Sequence, residues 1–228
     1  MDKVFAVIGL GAFGRQLCST FMEKGATVIA IDNQSAIIEK IKDEVSQAVR
    51  IDSTDEESLN QVPLEDVETA IVAIGDNVEA SILTTALLKR KGIPFILSRA
   101  ISELHMQVLR QIGADEVVNL EIDEGRRIAQ RLVAPEIIDR SSLGESLSLA
   151  ELKVPKKLAG KTLLKLDLRK RSRVSIVIIR RVLVTVDEIG NPMRNEQVIF
   201  PAADTVLEEE DILLVVGKTT DIEEFTES

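Results

Sequence analysis

Residues 9 to 14 read Gly9-Leu10-Gly11-Ala12-Phe13-Gly14, and eighteen residues after Gly14 an aspartate, Asp32, closes a β-branched run. Each glycine has its own task in holding a phosphate. Gly9 permits a tight turn, Gly11 lets the backbone come close to phosphate oxygens, and Gly14 lets a helix pack hard on a strand. Ala12 and Phe13 open that helix, whose unpaired N–H groups and partial positive charge favour an anion. A carboxylate at Asp32, with Asn33 beside it, suits the two hydroxyls of an adenosine ribose and repels a 2′-phosphate. The ligand chemistry called for is therefore NAD(H), ATP, ADP or AMP, and not NADP. The competing readings are a glycine turn with no ligand and an Asp32 that merely caps a helix.

Further candidates stand where later strand-like runs end. Asp52-Ser53-Thr54 places the Asp52 carboxylate where an adenine amino group would lie, with Ser53 alongside and Thr54 as the cap of the next helix. Ile74-Gly75-Asp76-Asn77 puts a small residue over the ligand and an N-cap at Asn77. Arg99 supplies a cation near the phosphates, or else is a solvated loop arginine. Groups for reaction are scarce. The single histidine, His105, falls in an amphipathic helix and reads as a surface or interface residue. No Ser-His-Asp or Cys-His set, Walker-type lysine or metal-ligand cluster is present in the pattern. These residues bind; they have no evident means to react.

Positioning them falls to a repeated βα pattern over about the first 120 residues. Strands are expected at Val4–Ile8, Thr27–Ile31, Gln47–Ile51, Thr69–Ile74, Phe95–Ser98 and Glu116–Asn119, with Gly25, Gly92 and Gly113 closing helices and Thr54 with Glu57 forming a capping box. A helix over Asp123–Val133 stops before Pro135, and the polar stretch Asp139–Ser148 has the composition of a linker. Beyond it, strand-like Ser146–Val154, an apolar helix around Thr162–Leu168, and the runs Val174–Ile179, Gln197–Phe200 and Ile212–Val216 point to a small α+β unit. The fold class is thus α/β: a Rossmann-like, doubly wound parallel sheet, then a small α+β domain.

Composition narrows the function. The 228 residues carry a net charge of −10, which argues against a nucleic-acid surface. No apolar run approaches the roughly 20 residues of a membrane helix, and Met1–Lys3 leads into a strand-like segment without a signal-peptide pattern. Trp and Tyr are absent, so the core must come from Ile, Leu, Val and Ala. The lone cysteine, Cys18, excludes an intrachain disulfide framework, reads as cytoplasmic, and falls in the apolar stripe of the first helix.

The blocks VIGLGAFG, VIAID, RIDSTDEESL, AIGDNVEASILTTALLK, RQIGADEVVNLEIDEGRRIAQRL and PAADTVLEEEDILLVVGK together resemble the KtrA/TrkA family of RCK proteins, regulators of K⁺ conductance. The resemblance implies an RCK N-domain over 1–138 with its crossover helix, a linker over 139–148 and an RCK C-domain over 149–228. It implies a homodimer assembled into an octameric ring in the cytoplasm, on the inner face of the membrane, bound to a K⁺-translocating subunit of the KtrB/TrkH type. ATP or ADP, and in some members NAD(H), would switch that ring. Where several members carry an arginine for the terminal phosphate this chain has Ala12, so the adenosine residues are better supported than those separating ATP from ADP. The family pattern also puts Glu121 near the two-fold axis of the dimer, where Mg²⁺ or Ca²⁺ would relieve two facing carboxylates. The segment Lys156–Arg181, with ten Lys and Arg against one acid, is either a solvated face balanced by the acidic run Glu208–Asp211 or an anion site, and some members bind cyclic di-AMP in that domain. A nicotinamide-dependent oxidoreductase and a stand-alone nucleotide or redox sensor with another partner, such as a promoter, are the alternatives.

Overall fold

The computed structural model describes residues 3–186 and 192–227, and the chain divides into two compact units at Gly125/Arg126. The first strand shows why the first unit is layered. In β1 (Val4–Ile8), Val4, Ala6 and Ile8 join a core cluster with Ile29, Ile31, Ala70 and Val72, whereas Phe5 and Val7 join another with Cys18, Val28, Ala30 and Ile71. A strand that is apolar on both sides has to be covered on both sides, which is the position of a central strand in a parallel sheet.

The chain supplies that cover by alternation: α1 (Ala12–Glu23), β2 (Thr27–Asp32), α2 (Ser35–Ile41), β3 (Gln47–Arg50), α3 (Glu56–Asn60), β4 (Thr69–Val72), α4 (Val78–Arg90), β5 (Phe95–Arg99), α5 (Glu103–Gln111), β6 (Glu116–Val118) and α6 (Leu120–Val133). The six strands pair in parallel in the order β3-β2-β1-β4-β5-β6, the Rossmann-like arrangement expected. Stacking of Phe21 on Phe5, with ring centroids 4.1 Å apart, helps seat α1 on β1. Gly25, Gly92 and Gly113 take φ of +77°, +80° and +107° where α1, α4 and α5 end, as the helix-stop reading required.

Two local expectations fail. Thr54 does not cap α3; Asp55 does, its Oδ2 accepting from the Ser58 amide at 3.0 Å, because Thr54 is engaged by Asp52. The helix placed at Asp123–Val133 starts earlier, at Leu120, with Asn119 Oδ1 accepting from the Ile122 amide at 3.0 Å.

In the second unit β7 (Ile137–Ser142), β8 (Leu147–Lys153), α7 (Leu163–Leu166), α8 (Leu168–Arg171), β9 (Ser175–Val186), β10 (Pro192–Ile199), β11 (Ile212–Lys218) and α9 (Thr219–Glu227) follow in turn. The sheet is antiparallel, in the order β10-β9-β11-β8-β7. Ala150, Leu152, Leu213 and Val215 turn to one core with Leu166, Leu168, Ile222 and Phe225, while Val177, Leu183 and Val198 remain exposed. One covered face and one open face is the usual state of an antiparallel sheet. The 139–148 stretch read as a linker is instead the β7–β8 hairpin: Ser141 pairs with Leu149 and Ser142 with Ser148, and the polar composition is that of an exposed edge strand. The apolar helix expected around Thr162–Leu168 is two short helices, α7 and α8, meeting at Asp167, which has φ +43°.

Candidate functional site

The strand order reverses between β1 and β4, and open α/β sheets take their ligands beyond the strand ends at such a point. Backbone geometry there makes the three fingerprint glycines unequal. Gly9 has φ +89°, donates its amide to Ile31 O at 2.9 Å, and a Cβ on it would sit 2.9 Å from Ile74 Cγ1. A Cβ on Gly14 would lie 2.0 Å from Gly9 O, so close packing of α1 on the turn forbids it. A Cβ on Gly11 would meet nothing within 4 Å. Gly9 and Gly14 therefore build the turn, and Gly11 faces open space. No side chain caps α1 and no acid stands in its first turn, so the amides that start the helix are available to an anion.

Asp32 is only 9% exposed, and both its oxygens are in use: Oδ2 accepts from the Leu10 amide at 2.8 Å and Oδ1 from the Gln34 amide at 2.9 Å. It thus ties the glycine turn to the end of β2. A carboxylate oxygen has more than one lone-pair site, so this work leaves capacity for ribose hydroxyls. Arg15 Nη1 donates to Leu10 O at 2.7 Å and braces the same turn.

Around this turn lies a cleft of about 510 Å³, a common size for a small-molecule pocket. Of the sequence candidates, Gly9, Gly11, Asp32, Asn33, Asp52, Ser53, Ile74, Gly75, Asp76, Asn77 and Arg99 line it. Ala12, Phe13 and Gly14 do not: Ala12 is exposed at the head of α1, Phe13 packs into the core, and Gly14 abuts Gly9. Asn77 caps α4, its Oδ1 accepting from the Ala80 amide at 2.9 Å. Asp52 Oδ1 accepts from the amide and the hydroxyl of Thr54 at 2.9 and 2.7 Å, and buried Ser53 spends its hydroxyl on Thr84 at 2.8 Å. Ser53 is therefore a wall of the cleft more than a donor to it. The sequence reading missed Ile8, Leu10, Gln34, Ile37, Ile51, Ala73 and Ala80; Ile37, in α2, and Ile51, just before Asp52, supply apolar wall suited to a base.

The lining side chains that carry charge are Asp32, Asp52, Asp76 and Arg99. Arg99 lies across Gly75, where a Cβ would come within 2.6 Å of Nη1, and its Nη2 pairs with Glu121 Oε1. Its Nε is buried with no partner among the described residues. The Glu121 carboxyl is held below the usual carboxylate range, first by its own backbone amide and then by Arg99, against a desolvation that pushes the other way. Glu121 thus meets a guanidinium within its own chain, and among the described residues no three of His, Cys, Asp and Glu gather to hold a metal ion. A cation at Glu121 would need donors from a second copy.

His105 corrects the surface reading. It is 4% exposed, accepts from the Ile101 amide through Nδ1 at 3.4 Å, and is kept below its ordinary pKa by burial. It does not line the cleft. Cys18 is buried in the core, its thiol pushed up to about 11 by desolvation, which suits packing and not reaction. In the basic segment, Arg180 pairs with Glu151 and Glu196, and Arg181 with Glu208 and Asp211. No helix among the described residues is long and apolar enough to cross a membrane.

The TrkA-N domain family matches residues 5–120 and the TrkA-C domain family residues 148–228. The Ktr system potassium uptake protein C of Bacillus subtilis (strain 168) is 40% identical over 225 residues, which cover 99% of this chain and 96% of that one. The Ktr system potassium uptake protein A of the same strain is 33% identical over 224 residues, 98% and 96% of the two chains. Among solved structures, the GsuK channel bound to NAD superposes with a TM-score of 0.63 at 18% identity, over 99% of this chain and 39% of that longer one, which establishes likeness of fold.

Proposed function

We propose, for a chain that belongs to the KtrA/TrkA family of RCK proteins, that it is a nucleotide-binding subunit regulating K⁺ uptake through a separate membrane protein. The observation that carries this reading is the cradle at Gly11: open space above an uncapped helix start, with Asp32 fixed across from it. Its ligand is an adenine nucleotide, ATP or ADP, with NAD(H) as the other member of the class. Asp32 and Asn33 meet the ribose, Asp52 meets the adenine amino group between the apolar walls of Ile37 and Ile51, and the α1 amides receive the phosphates. Arg99 is the cation for the outer phosphates.

The titratable lining of three aspartates and one arginine, and relatives named as potassium uptake proteins, support binding over catalysis. Regulation then follows from linkage. A nucleotide shifts a two-state assembly only by the difference between its affinities for the two states, so the phosphate must be met differently in each. The assembly proposed is a homodimer built into an octameric ring, cytoplasmic and docked on the K⁺-translocating subunit. The test is K⁺ flux into vesicles holding that subunit with this chain added, at saturating ATP, saturating ADP and neither. Flux that differs among the three conditions supports the reading; flux indifferent to nucleotide, with binding intact, counts against it.

A further inference from the structure

Arg99 stands at the end of β5 and Glu121 just past β6, its neighbour in the sheet; the two meet although 22 residues separate them. The pair is asymmetric in burial. The Arg99 side chain is 21% exposed and lies over Gly75 in the cleft wall, whereas Glu121 is 58% exposed and sits in the first turn of α6. Releasing Glu121 is cheap: its carboxylate returns to water at a helix N-terminus, where negative charge is favoured. Arg99 cannot leave so easily, because its guanidinium is packed on the β4–α4 turn, and its buried Nε, without a hydrogen-bond partner among the described residues, gains by taking a ligand oxygen. A guanidinium binds an oxyanion best through two parallel N–H donors, and Glu121 engages Nη2 and leaves Nε idle.

We propose that Glu121 is a selectivity residue of this cleft: it holds Arg99, the one cationic side chain of the lining among the described residues, until a ligand phosphate takes its place. This rests on the adenine-nucleotide reading above. Glu121 then acts as an internal anion that every phosphorylated ligand must displace and that an uncharged nucleoside leaves alone. Because the other charges of the lining are three aspartates, an unopposed Arg99 is what makes the outer part of the cleft hospitable to a phosphate. Glu121 lowers that hospitality by a fixed amount and so sets the ratio of ADP to adenosine affinity.

The test is calorimetric titration of the full chain with adenosine and with ADP in EDTA, comparing the wild type, Glu121→Gln, Arg99→Gln and the double variant. Glu121→Gln keeps the size and polarity of a mostly exposed side chain, so its folding should be unaffected. The expected result is ADP affinity raised about 2- to 5-fold, the scale of a part-exposed ion pair, with adenosine affinity unchanged. Arg99→Gln should weaken ADP, and in that background Glu121→Gln should have no effect. An equal change for adenosine and ADP, or weaker ADP binding in Glu121→Gln, would overturn the proposal. Should Arg99→Gln fail to fold, the adenosine–ADP contrast in Glu121→Gln decides alone. A wild type that saturates with neither ligand would instead remove the site reading, and the proposal with it.

Discussion

The two units differ in where buried polar atoms are left without partners. In the first, Ser81 Oγ, Arg99 Nε, His105 Nε2 and Asn119 Nδ2 are buried without hydrogen-bond partners among the described residues. Arg99 and Asn119 stand at the carboxyl ends of β5 and β6, and Ser81 and His105 in the first turns of α4 and α5. That is the edge on which a parallel sheet receives its ligand. In the second unit the deepest acid, Asp211, is 1% exposed and saturated: Arg181 Nε and Nη2 donate to it at 2.7 and 2.8 Å, and the Glu208 amide at 2.8 Å. Polar groups there hold strands and turns together. Unspent hydrogen-bonding capacity gathers on the ligand edge of one unit, and the other spends its charges on architecture.

The largest effect should come from breaking the saturated network. Arg181→Met strands a buried carboxylate, and removing one partner of a buried pair costs about 3–5 kcal/mol. Urea unfolding should report a loss of that size. A loss below about 1 kcal/mol would mean that the pairing does not hold the second unit, and would erase the contrast.

The next test separates framework from cradle within one motif. Gly14→Ala forces a Cβ to within 2.0 Å of Gly9 O and should destabilise the fold by about 1–3 kcal/mol, as overpacking does. Gly11→Ala has room in the folded chain, so its stability should stay within about 1 kcal/mol of wild type, while ADP affinity falls at least about tenfold because the methyl occupies phosphate space. Thermal melts paired with ADP titrations check both. Gly11→Ala with undiminished ADP affinity would place the phosphates elsewhere.

A smaller effect belongs to His105. Burial lowers its pKa from the ordinary 6.5, so the folded chain resists a proton that the unfolded chain accepts. Nothing is lost above the unfolded value, where both states are neutral, and stability declines as pH falls through about 6.5. His105 is the sole histidine, so the slope of stability between pH 7 and 6 is expected to flatten in His105→Gln. An unchanged slope would show that another group titrates there.

Much of the first unit could be read directly. Runs such as Val4–Ile8 and Thr27–Asp32 are apolar on both faces, and only a covered parallel strand tolerates that pattern. Edge strand β7 escaped notice because Asp139, Ser141 and Ser142 are exposed, Arg140 is half-buried where it pairs with Glu223, and the run carries no apolar alternation. Helix α9 was missed because little beyond Ile222 and Phe225 marks its buried side. The 187–191 part of the second unit lies outside the described residues. In the site, most of the cleft lining stands at strand ends, where an open α/β sheet offers its ligand positions. Its internal ties were not legible: the Asp32 bond to Leu10 spans 22 residues, as does the Arg99–Glu121 pair, and both depend on which strands are neighbours. Periodicity reports what a residue faces within its own element, and these contacts are made by strand order.

The most direct test of the central claim, an adenosine phosphate held between Gly11 and Asp32, is calorimetric titration of wild type and Asp32→Asn with ADP, ATP, NADH and NADPH. Asn keeps the size of the side chain but has a single acceptor oxygen, so it receives only one of the Leu10 and Gln34 amides, and it loses the charge that binds ribose hydroxyls. Saturable binding of ADP, ATP or NADH, weaker or absent binding of NADPH, and a loss of about 1–3 kcal/mol in Asp32→Asn are the predicted result. Equal affinities in the two proteins, or NADPH bound as tightly as NADH, would contradict it.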